Sequence, residues 1–370
     1  MKKKALIIPV ALLTAVLSAC GSPTATSSGD SKPKVDTHAK EVFDKFNSMT
    51  GAERTDALVK AAQDEGELSL YTSNTDMDAI VDGFTDKYDV DVNVYRGNSE
   101  SVLQRILQES KAGFAGADLI ETNSGELNVI ADQKLFYPYK SEFRDKVRPE
   151  GQKDNWTADR FNAFTIAYNT DLVKSADVPK SLEELADPKW KGKISMEVGD
   201  MDWFSAMYNY YLQQGKSEQE VTDMFKKIAS NAKIVKGHTV QAELLSAGEF
   251  AVGASMYTHS VQEGTEEGRP IAWRTDANPP AQPIVIRPNG AGLLATAKHP
   301  AAALLFMDYL LTDGQKAIAD AYRIGSVPSA DDPLAGIKTI EVDEDEMLNN
   351  AKKWDDLYAE VLKGGQVTDK

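Results

Sequence analysis

The stretch ELSLYTSNTDMDAIVDGFTDKYDVDVNVYRG, residues 67–97, decides the fold class of this 370-residue chain. It begins with the alternating pattern of a strand at 68–71, passes through a polar turn into helical spacing at 76–88, and ends in a second alternating strand at 90–95. A strand, a helix and a strand in this order form a βαβ unit, whose two strands lie parallel in one sheet. The sequence therefore predicts an α/β fold.

The same alternation continues on both sides of this unit. Further helices are predicted at 42–66 with a break near 50–51, and at 100–110, 201–213, 217–229, 239–246 and 300–311; further strands are predicted at 117–121, 164–168, 193–197, 250–256, 284–286 and 292–294. Two such series in about 330 residues exceed one ordinary hydrophobic core, so we expect two lobes.

The N-terminus has the pattern of a secretory signal peptide at residues 1–19. Three lysines at 2–4 precede an apolar stretch that ends at Val16, and small residues follow. The stretch is shorter than the roughly 20 residues that span a bilayer. Cys20 is the only cysteine, so an intrachain disulfide and a cysteine nucleophile elsewhere are excluded. Residues 21–40 are rich in Ser, Thr, Gly, Pro and Lys and are predicted to form a flexible tether.

Charge and motifs exclude several function classes. The formal net charge is -16, and removing the three lysines of the signal peptide and no acids would take it to -19, which argues against nucleic-acid binding. The sequence contains no Gly-x-Ser-x-Gly, His-Glu-x-x-His or phosphate loop, so we expect neither an enzyme nor a cofactor. An envelope hydrolase that uses Asp200 and Asp202 is a remote alternative.

Polar turns follow three predicted strands of the first series, at 72–75, 97–99 and 122–124. Ligands of α/β sheets bind outside the carboxyl ends of the strands, and helix N-termini can hold anions there. These turns make Ser73, Thr75, Asn98 and Asn123 candidate ligand-binding residues. Ordinary helix N-caps would have the same residue types, so that interpretation stays open.

Five motifs in order resemble the ferric-ion-binding protein family of ABC-importer receptors, which has thiamine-, polyamine- and phosphonate-binding relatives. The motifs are ELSLYTS at 67–73, ADLIE at 117–121, SAGEF at 246–250, AKHPAAALLF at 297–306 and LLTDGQ at 310–315. The resemblance implies a two-lobe periplasmic-binding-protein fold, type II-like, with a hinge of two crossing strands. It implies a helical extension at 41–65, a lobe 1 of 66–165 and 283–325, and a lobe 2 of 166–282 and 326–370.

The residues LSAC at 17–20 resemble the lipobox of bacterial lipoproteins. This resemblance implies that Cys20 carries a lipid. The lipid would hold the chain at the outer face of the cytoplasmic membrane or within the periplasm. We therefore expect a monomeric receptor that binds a small-molecule solute in the interlobe cleft and delivers it to an ABC permease.

The iron ligands of the family are only partly present in this sequence, and this bears on the identity of the solute. The family's His, Glu and two Tyr ligands fall on Thr75, Asn123, Tyr257 and Thr258, so one of the four is kept. Its anion-holding turn falls on 200–202, and a neighbouring Asn falls on His238.

These departures favour a small organic cation, such as a polyamine- or thiamine-like solute, bound by Asp200, Asp202, Trp203 and Tyr257, with Tyr71 as a further aromatic neighbour. Three alternatives stay open. They are a ferric-ion receptor with a non-standard site, a receptor for an organic phosphate or phosphonate, and two acids that only cap a helix. No resident metal is expected.

Overall fold

The structure is a computed structural model that describes residues 35–273 and 282–367. The signal peptide, Cys20 and most of the predicted tether lie outside the described residues. The helices are α1 Thr37–Asn47, α2 Gly51–Glu65, α3 Met77–Tyr88, α4 Ser99–Ala112, α5 Ser124–Asp132, α6 Leu182–Leu185, α7 Met201–Gln213, α8 Glu218–Asn231, α9 His238–Ser246, α10 Thr258–Glu266, α11 Pro300–Leu310, α12 Gly314–Asp320, α13 Glu344–Asn349 and α14 Ala351–Leu362.

The strands follow the predicted alternation with the helices. They are β1 Glu67–Thr72, β2 Asp91–Arg96, β3 Leu119–Asn123, β4 Phe136–Tyr137, β5 Thr157–Asn169, β6 Ile194–Glu197, β7 Ala232–Val235, β8 Val252–Tyr257, β9 Ile271–Ala272, β10 Ile284–Leu294, β11 Ile324–Gly325, β12 Thr339–Glu341 and β13 Gln366–Val367. None of the helices within the described ranges is long and apolar enough to cross a membrane.

The predicted tether is wrong at its C-terminal end, because residues 37–40 already belong to α1. The Asp36 carboxylate accepts a hydrogen bond of 3.0 Å from the Ala39 backbone N–H and so caps the helix. Ala39, Phe43 and Phe46 recur at helical spacing and are all buried. These apolar residues hold the end of the expected tether in a folded helix.

Two long strands connect the two halves of the sheet. The strand order is β13-β7-β6-β8-β5-β10-β3-β1-β2, with β5 and β10 antiparallel at its centre. On one side β1, β2 and β3 are parallel to one another, and on the other side β6 is parallel to β7 and β8. The two-lobe α/β fold with two crossing strands is therefore confirmed.

The second crossing strand differs from the prediction, since the two short strands expected at 284–286 and 292–294 are parts of the single strand β10. Pro288 pairs with Phe161 inside this strand, and the register shifts between Asn289 and Gly290. A side chain at Gly290 would collide with the Thr157 carbonyl. Glycine thus lets β5 and β10 approach closely at the irregularity.

Each half of the sheet has its own apolar core. One core surrounds α11, whose residues are all buried, and includes residues of α1, α2 and α3. The buried Arg54 of α2 pairs there with Asp308 of α11, and Tyr139 donates a hydrogen bond of 2.6 Å to the same carboxylate. The other core lies around α7, α8 and α14 and includes Trp354 and Tyr358.

The C-terminal segment contacts the hinge as well as the second core. Strand β12 pairs in parallel with β10, so that Ile286 lies opposite Glu341. Further along, the Tyr358 hydroxyl donates a hydrogen bond of 2.6 Å to the Glu197 carbonyl at the end of β6. The segment therefore helps to position the loops at the carboxyl end of this half of the sheet.

Candidate functional site

One face of the crossing strands is polar. Asn162 of β5 lies opposite Arg287 of β10, and Arg160 lies opposite Asn289, which in turn lies opposite Asn123 of β3. Paired residues share a face of the sheet, so these five side chains form one row across three strands. The opposite face carries apolar residues of the core, among them Phe161, Ala163 and Ile286. We refer to the polar row as the cleft floor.

Asp200 and His238 meet beside this floor. Asp200 follows β6 and His238 begins α9 just after β7, and the two strands are parallel, so their carboxyl ends lie side by side. His238 Nε2 lies 2.8 Å from Asp200 Oδ1. Asp200 Oδ2 and His238 Nδ1 are both buried and have no hydrogen-bond partner among the described residues. The pair thus leaves one polar atom of each residue unbonded by geometry, and Ser255 lies close enough to Asp200 to help lower its pKa.

Glu197 lies close enough to join this pair, since one ligand atom from each of the three residues falls within 4.8 Å of the others. Its carboxylate is already engaged, because Oε1 accepts a hydrogen bond of 2.8 Å from the Gly237 N–H and Oε2 accepts one from Gly199. Glu197 therefore fixes the two turns that carry Asp200 and His238.

Burial and pairing set the protonation of the pair. Burial raises the pKa of Asp200 to about 6, and the neighbouring His238 opposes that rise. Burial lowers the pKa of His238, but the Asp200 carboxylate outweighs it, and the net pKa is raised. Each residue thus favours the charged form of the other.

Tyr257 ends β8 and covers His238. The centroids of the two rings lie 3.8 Å apart, and the His259 ring lies 5.2 Å from the Tyr257 ring. Burial raises the pKa of Tyr257, and Arg287 opposes the rise. Burial lowers the pKa of His259 well below its ordinary value, so that imidazole is neutral. The Tyr257 phenol therefore contacts two imidazoles: that of His259, which is neutral, and that of His238, which is paired with the Asp200 carboxylate.

Arg287 reaches the same place from the cleft floor. Its guanidinium forms an ion pair with Asp202 and donates a hydrogen bond of 3.3 Å to the Tyr257 hydroxyl. Its Nε has no partner within the part of the chain that the structure describes. Sequence reasoning missed Arg287; the available signal was a cation that follows the apolar residues 284–286.

The β1–β3 side of the floor carries a second charged cluster. Arg160 pairs with both Glu121 and Asp159, and the Thr72 hydroxyl donates a hydrogen bond to Glu121. All four residues are buried. Burial raises the pKa of Asp159 to about 7, although Arg160 opposes the rise. Sequence reasoning placed Thr72 in a polar turn at the ligand-binding edge but placed none of the three charged residues in the site.

A match to a family model covers residues 117–360, about two thirds of the chain, and the family is described as bacterial extracellular solute-binding protein. The chain belongs to this family. Its members bind small solutes and work with an ABC permease, so the protein is the extracytoplasmic solute-binding component of an ABC transporter.

Relatives of this solute-binding protein are named for iron. The Fe(3+)-binding periplasmic protein of Serratia marcescens is 24% identical over 316 residues, covering 81% of this chain and 91% of the relative. Iron uptake protein A2 of Synechocystis is 27% identical over 274 residues, covering 69% of this chain and 75% of the relative. Both are transport proteins rather than enzymes, as the sequence predicts at the level of the family.

Solved structures share the fold. Iron-bound HitA from Pseudomonas aeruginosa superposes with a TM-score of 0.66 at 22% identity, covering 80% of this chain and 99% of that one. AfuA from Actinobacillus pleuropneumoniae, with fructose-6-phosphate bound, gives a TM-score of 0.64 at 23% identity and the same coverage. The fold therefore accompanies more than one kind of solute.

Several other candidate residues of the solute-binding protein lie near the polar turns. The hydroxyls of Ser73 and Thr122 are 2.9 Å apart, and Asn289 Nδ2 donates a hydrogen bond of 2.6 Å to Asn123 Oδ1. Arg323, which sequence reasoning also missed, donates to Thr75 at 3.2 Å and pairs with Asp76. Thr258 begins α10 after Tyr257, and its buried hydroxyl has no partner among the residues described.

Three candidates make contacts of another kind. Tyr71 donates a hydrogen bond of 3.0 Å to Glu109. The Asn98 side chain accepts a hydrogen bond of 2.7 Å from the Ser101 N–H and so acts as an ordinary N-cap of α4. Trp203 is 1% exposed and packs edge-on against Phe225 in the core of its lobe.

Asp200 occupies the N-cap position of α7 but makes no side-chain capping bond, since its carboxylate pairs with His238.

Proposed function

We propose that this solute-binding protein captures ferric iron, bound by Asp200, His238 and Tyr257, and delivers it to an ABC permease. The observation that supports the proposal best is the meeting of a carboxylate, an imidazole and a phenol at the ends of β6, β7 and β8. Asp200 Oδ2 and His238 Nδ1 are buried there without partners among the described residues. Carboxylate and phenolate oxygens suit a hard trivalent ion. The iron-related names of the relatives support the same solute.

The proposed set has one tyrosine and leaves coordination positions open. Water or a small oxygen-bearing co-ligand would fill these positions. Arg287 lies beside the Tyr257 hydroxyl, and its charge would offset the negative charge that builds up when a phenolate forms.

The organic cation that the sequence favoured is not supported. Asp202 already forms an ion pair with Arg287, and Asp200 pairs with His238. The negative charge that was expected to attract a cationic solute is therefore largely offset within the chain.

An organic phosphate has less support than iron. Arg160, Arg287 and Arg323 all approach the cleft, but each of them already pairs with a carboxylate of this chain. A phosphate would have to compete with those carboxylates for the same guanidinium groups. Fructose 6-phosphate, which occupies AfuA, is a suitable competitor in a binding experiment with iron.

Titration of the apo protein with ferric nitrilotriacetate tests the iron proposal. We expect stoichiometric binding and a visible charge-transfer band from the Tyr257 phenolate. Tyr257→Phe should abolish the band and weaken binding at least about tenfold, the lower end of what altering a metal site costs. Tyr71→Phe is the matched control, because the Tyr71 hydroxyl bonds Glu109 instead. The absence of iron binding, or an unchanged band in Tyr257→Phe, would overturn the proposal.

We also propose the attachment and the lobes that the sequence predicts. Cys20 would carry the lipid anchor of a monomeric receptor, with lobe 1 at 66–165 and 283–325 and lobe 2 at 166–282 and 326–370. Cys20→Ser should move the protein from the membrane fraction to the soluble fraction of cells. Unchanged fractionation would contradict the anchor.

A further inference from the structure

We propose that Tyr358, in the C-terminal helix α14, is a positioning residue for the candidate metal site: by holding the backbone at the end of β6 it sets how Asp200 and His238 face each other. This inference deepens the proposed function and rests on it in part, because it names a residue that tunes metal affinity without touching the metal. Tyr358 was not among the residues that the sequence singled out.

The Tyr358 hydroxyl is fixed at the place where β6 ends. It donates a hydrogen bond of 2.6 Å to the carbonyl of Glu197, the last residue of that strand. The side chain is 3% exposed, and its ring centroid lies 4.9 Å from that of Phe204 in α7. A phenol that is buried this far usually has a hydrogen-bond partner. The packing of α14 against α7 therefore restrains the Glu197 backbone.

Glu197 passes this restraint on to the two turns that carry the proposed ligands. Its carboxylate accepts a hydrogen bond of 2.8 Å from the Gly237 N–H and another from the Gly199 N–H. These two glycines come directly before His238 and Asp200. Gly237 has a φ of +94°, in the left-handed region that favours glycine. A displacement of Glu197 would thus move both turns.

The charges around Tyr358 keep it a hydrogen-bond donor. Burial raises its pKa well above the ordinary value of a phenol, and the carboxylates of Asp200, Glu197 and Asp202 act in the same direction. The hydroxyl therefore keeps its proton and stays bonded to the Glu197 carbonyl. A neutral phenol in this position supplies no phenolate to a metal, so we expect its effect on metal binding to pass through Glu197.

Small displacements of ligand groups matter in a metal site. Such a site needs its donors held to within about 0.5 Å of their working positions. Residues that orient the ligands from behind typically change metal affinity by about 10–100-fold when they are replaced. Tyr358→Phe would leave the Glu197 carbonyl without this donor and loosen the end of β6. The result should be weaker metal binding in a protein that still folds.

Tyr208 of α7 provides a matched control in the same core. It is 4% exposed, and its ring centroid lies 5.6 Å from that of Phe204. Its hydroxyl donates a hydrogen bond of 3.0 Å to the carbonyl of Glu218, the first residue of α8. Tyr208→Phe thus removes the same group from the same core and leaves the bond to the Glu197 carbonyl in place.

Titration with ferric nitrilotriacetate compares these two variants with the wild-type protein. We expect Tyr358→Phe to bind iron about tenfold more weakly and to change the wavelength of the Tyr257 charge-transfer band, because Asp200 and His238 would hold the ion differently. Tyr208→Phe should leave both the affinity and the band unchanged, although each variant loses one buried hydroxyl. Equal affinity in Tyr358→Phe and wild type, or an equal loss in the two variants, would overturn the inference.

A second measurement needs no iron. The ring-nitrogen NMR signals of His238 in the apo protein report its hydrogen bond to Asp200, and comparison with His238→Gln assigns them among the four histidines. We expect these signals to shift in Tyr358→Phe and to stay in place in Tyr208→Phe. If the wild-type protein binds no iron, the iron proposal fails, while a shift confined to Tyr358→Phe still supports the positioning role. Unchanged His238 signals in Tyr358→Phe would sink the inference, whatever the iron titration shows.

Discussion

The imidazole of His238 lies 3.8 Å from the phenol ring of Tyr257, measured between the ring centroids, and the two rings are tilted by 33°. The two residues are 19 positions apart and come from the ends of different strands of the same half-sheet, β7 and β8. Asp200 completes the group from β6, with its carboxylate 2.8 Å from His238 Nε2. Because β6 pairs in parallel with both β7 and β8, the carboxylate, the imidazole and the phenol lie close together.

Replacing His238 by Gln should weaken ferric-ion binding by about tenfold or more, because one donor is lost and Asp200 loses its partner. Titration with ferric nitrilotriacetate measures the effect. His38→Gln is the control, since His38 is exposed on α1. Equal affinity for both variants would remove His238 from the proposed ligand set.

The sequence predicted the fold well, because its local patterns match the elements closely. Helix α7 was expected at 201–213 and lies at Met201–Gln213, and β1 was expected at 68–71 and lies at Glu67–Thr72. Such elements are specified by side chains a few residues apart. The continuous strand β10 was divided in the prediction, because Pro288 and the two glycines that follow look like a turn when the partner strand is unknown.

The site was only partly predictable. Asp200 and Tyr257 could be proposed because they directly follow strands whose carboxyl ends are a general place for ligands. Arg160, Arg287 and Arg323 could not, since they lie within or beside the crossing segment and their partners are distant in the chain. Arg287, for example, pairs with Asp202, 85 positions earlier. The charge balance of the cleft depends on such pairs, and without them the two acids of the sequence favoured an organic cation, which the comparisons do not support.

Replacing Arg160 by Met should destabilise the protein by about 3–5 kcal/mol, because Glu121 and Asp159 would stay buried without their cation. Urea unfolding measures the change. The loss should be larger at pH 8 than at pH 6, because burial raises the pKa of Asp159 to about 7 and protonation of that carboxyl relieves part of the cost. The control is Arg105→Met at a half-exposed pair with Glu109, for which we expect about 1 kcal/mol or less. A similar loss for both variants would contradict the burial argument.

Glu344 should make stability depend on pH. Burial raises its pKa in the folded protein from 4.5 to about 7, with Ser124 and Arg287 opposing the rise. Folding therefore favours the protonated carboxyl: its contribution is fully present below pH 4.5 and is lost as the pH rises through about 7. Glu344→Gln lacks this titration. Between pH 4.5 and pH 8 the unfolding free energy of the wild type should therefore fall by about 2–3 kcal/mol relative to that of Glu344→Gln.

Urea unfolding of both proteins at several pH values checks this expectation. Other titrating groups are common to the two chains, so their effects cancel in the difference between the unfolding free energies. Asp345→Asn, at an exposed neighbour, should follow the wild-type curve. A difference between wild type and Glu344→Gln that stays constant with pH would show that the carboxyl titrates normally.

Arg287 should decide whether the cleft rejects organic cations. The guanidinium neutralises Asp202 and lies beside Tyr257, so a polyamine meets a positive charge where the sequence alone suggested two free acids. Arg287→Gln would release the Asp202 carboxylate, which is 16% exposed in the ion pair, next to an aromatic ring. We expect this variant to bind spermidine at least about tenfold more tightly than the wild-type protein, since one repulsive charge is replaced by one attractive charge. Calorimetry with spermidine measures the gain, and Arg105→Gln, which removes a cation outside the cleft, should show none. If wild type and Arg287→Gln bind spermidine equally, the charge of Arg287 does not control the choice of solute, and its ion pair with Asp202 is not the reason that the cleft rejects organic cations.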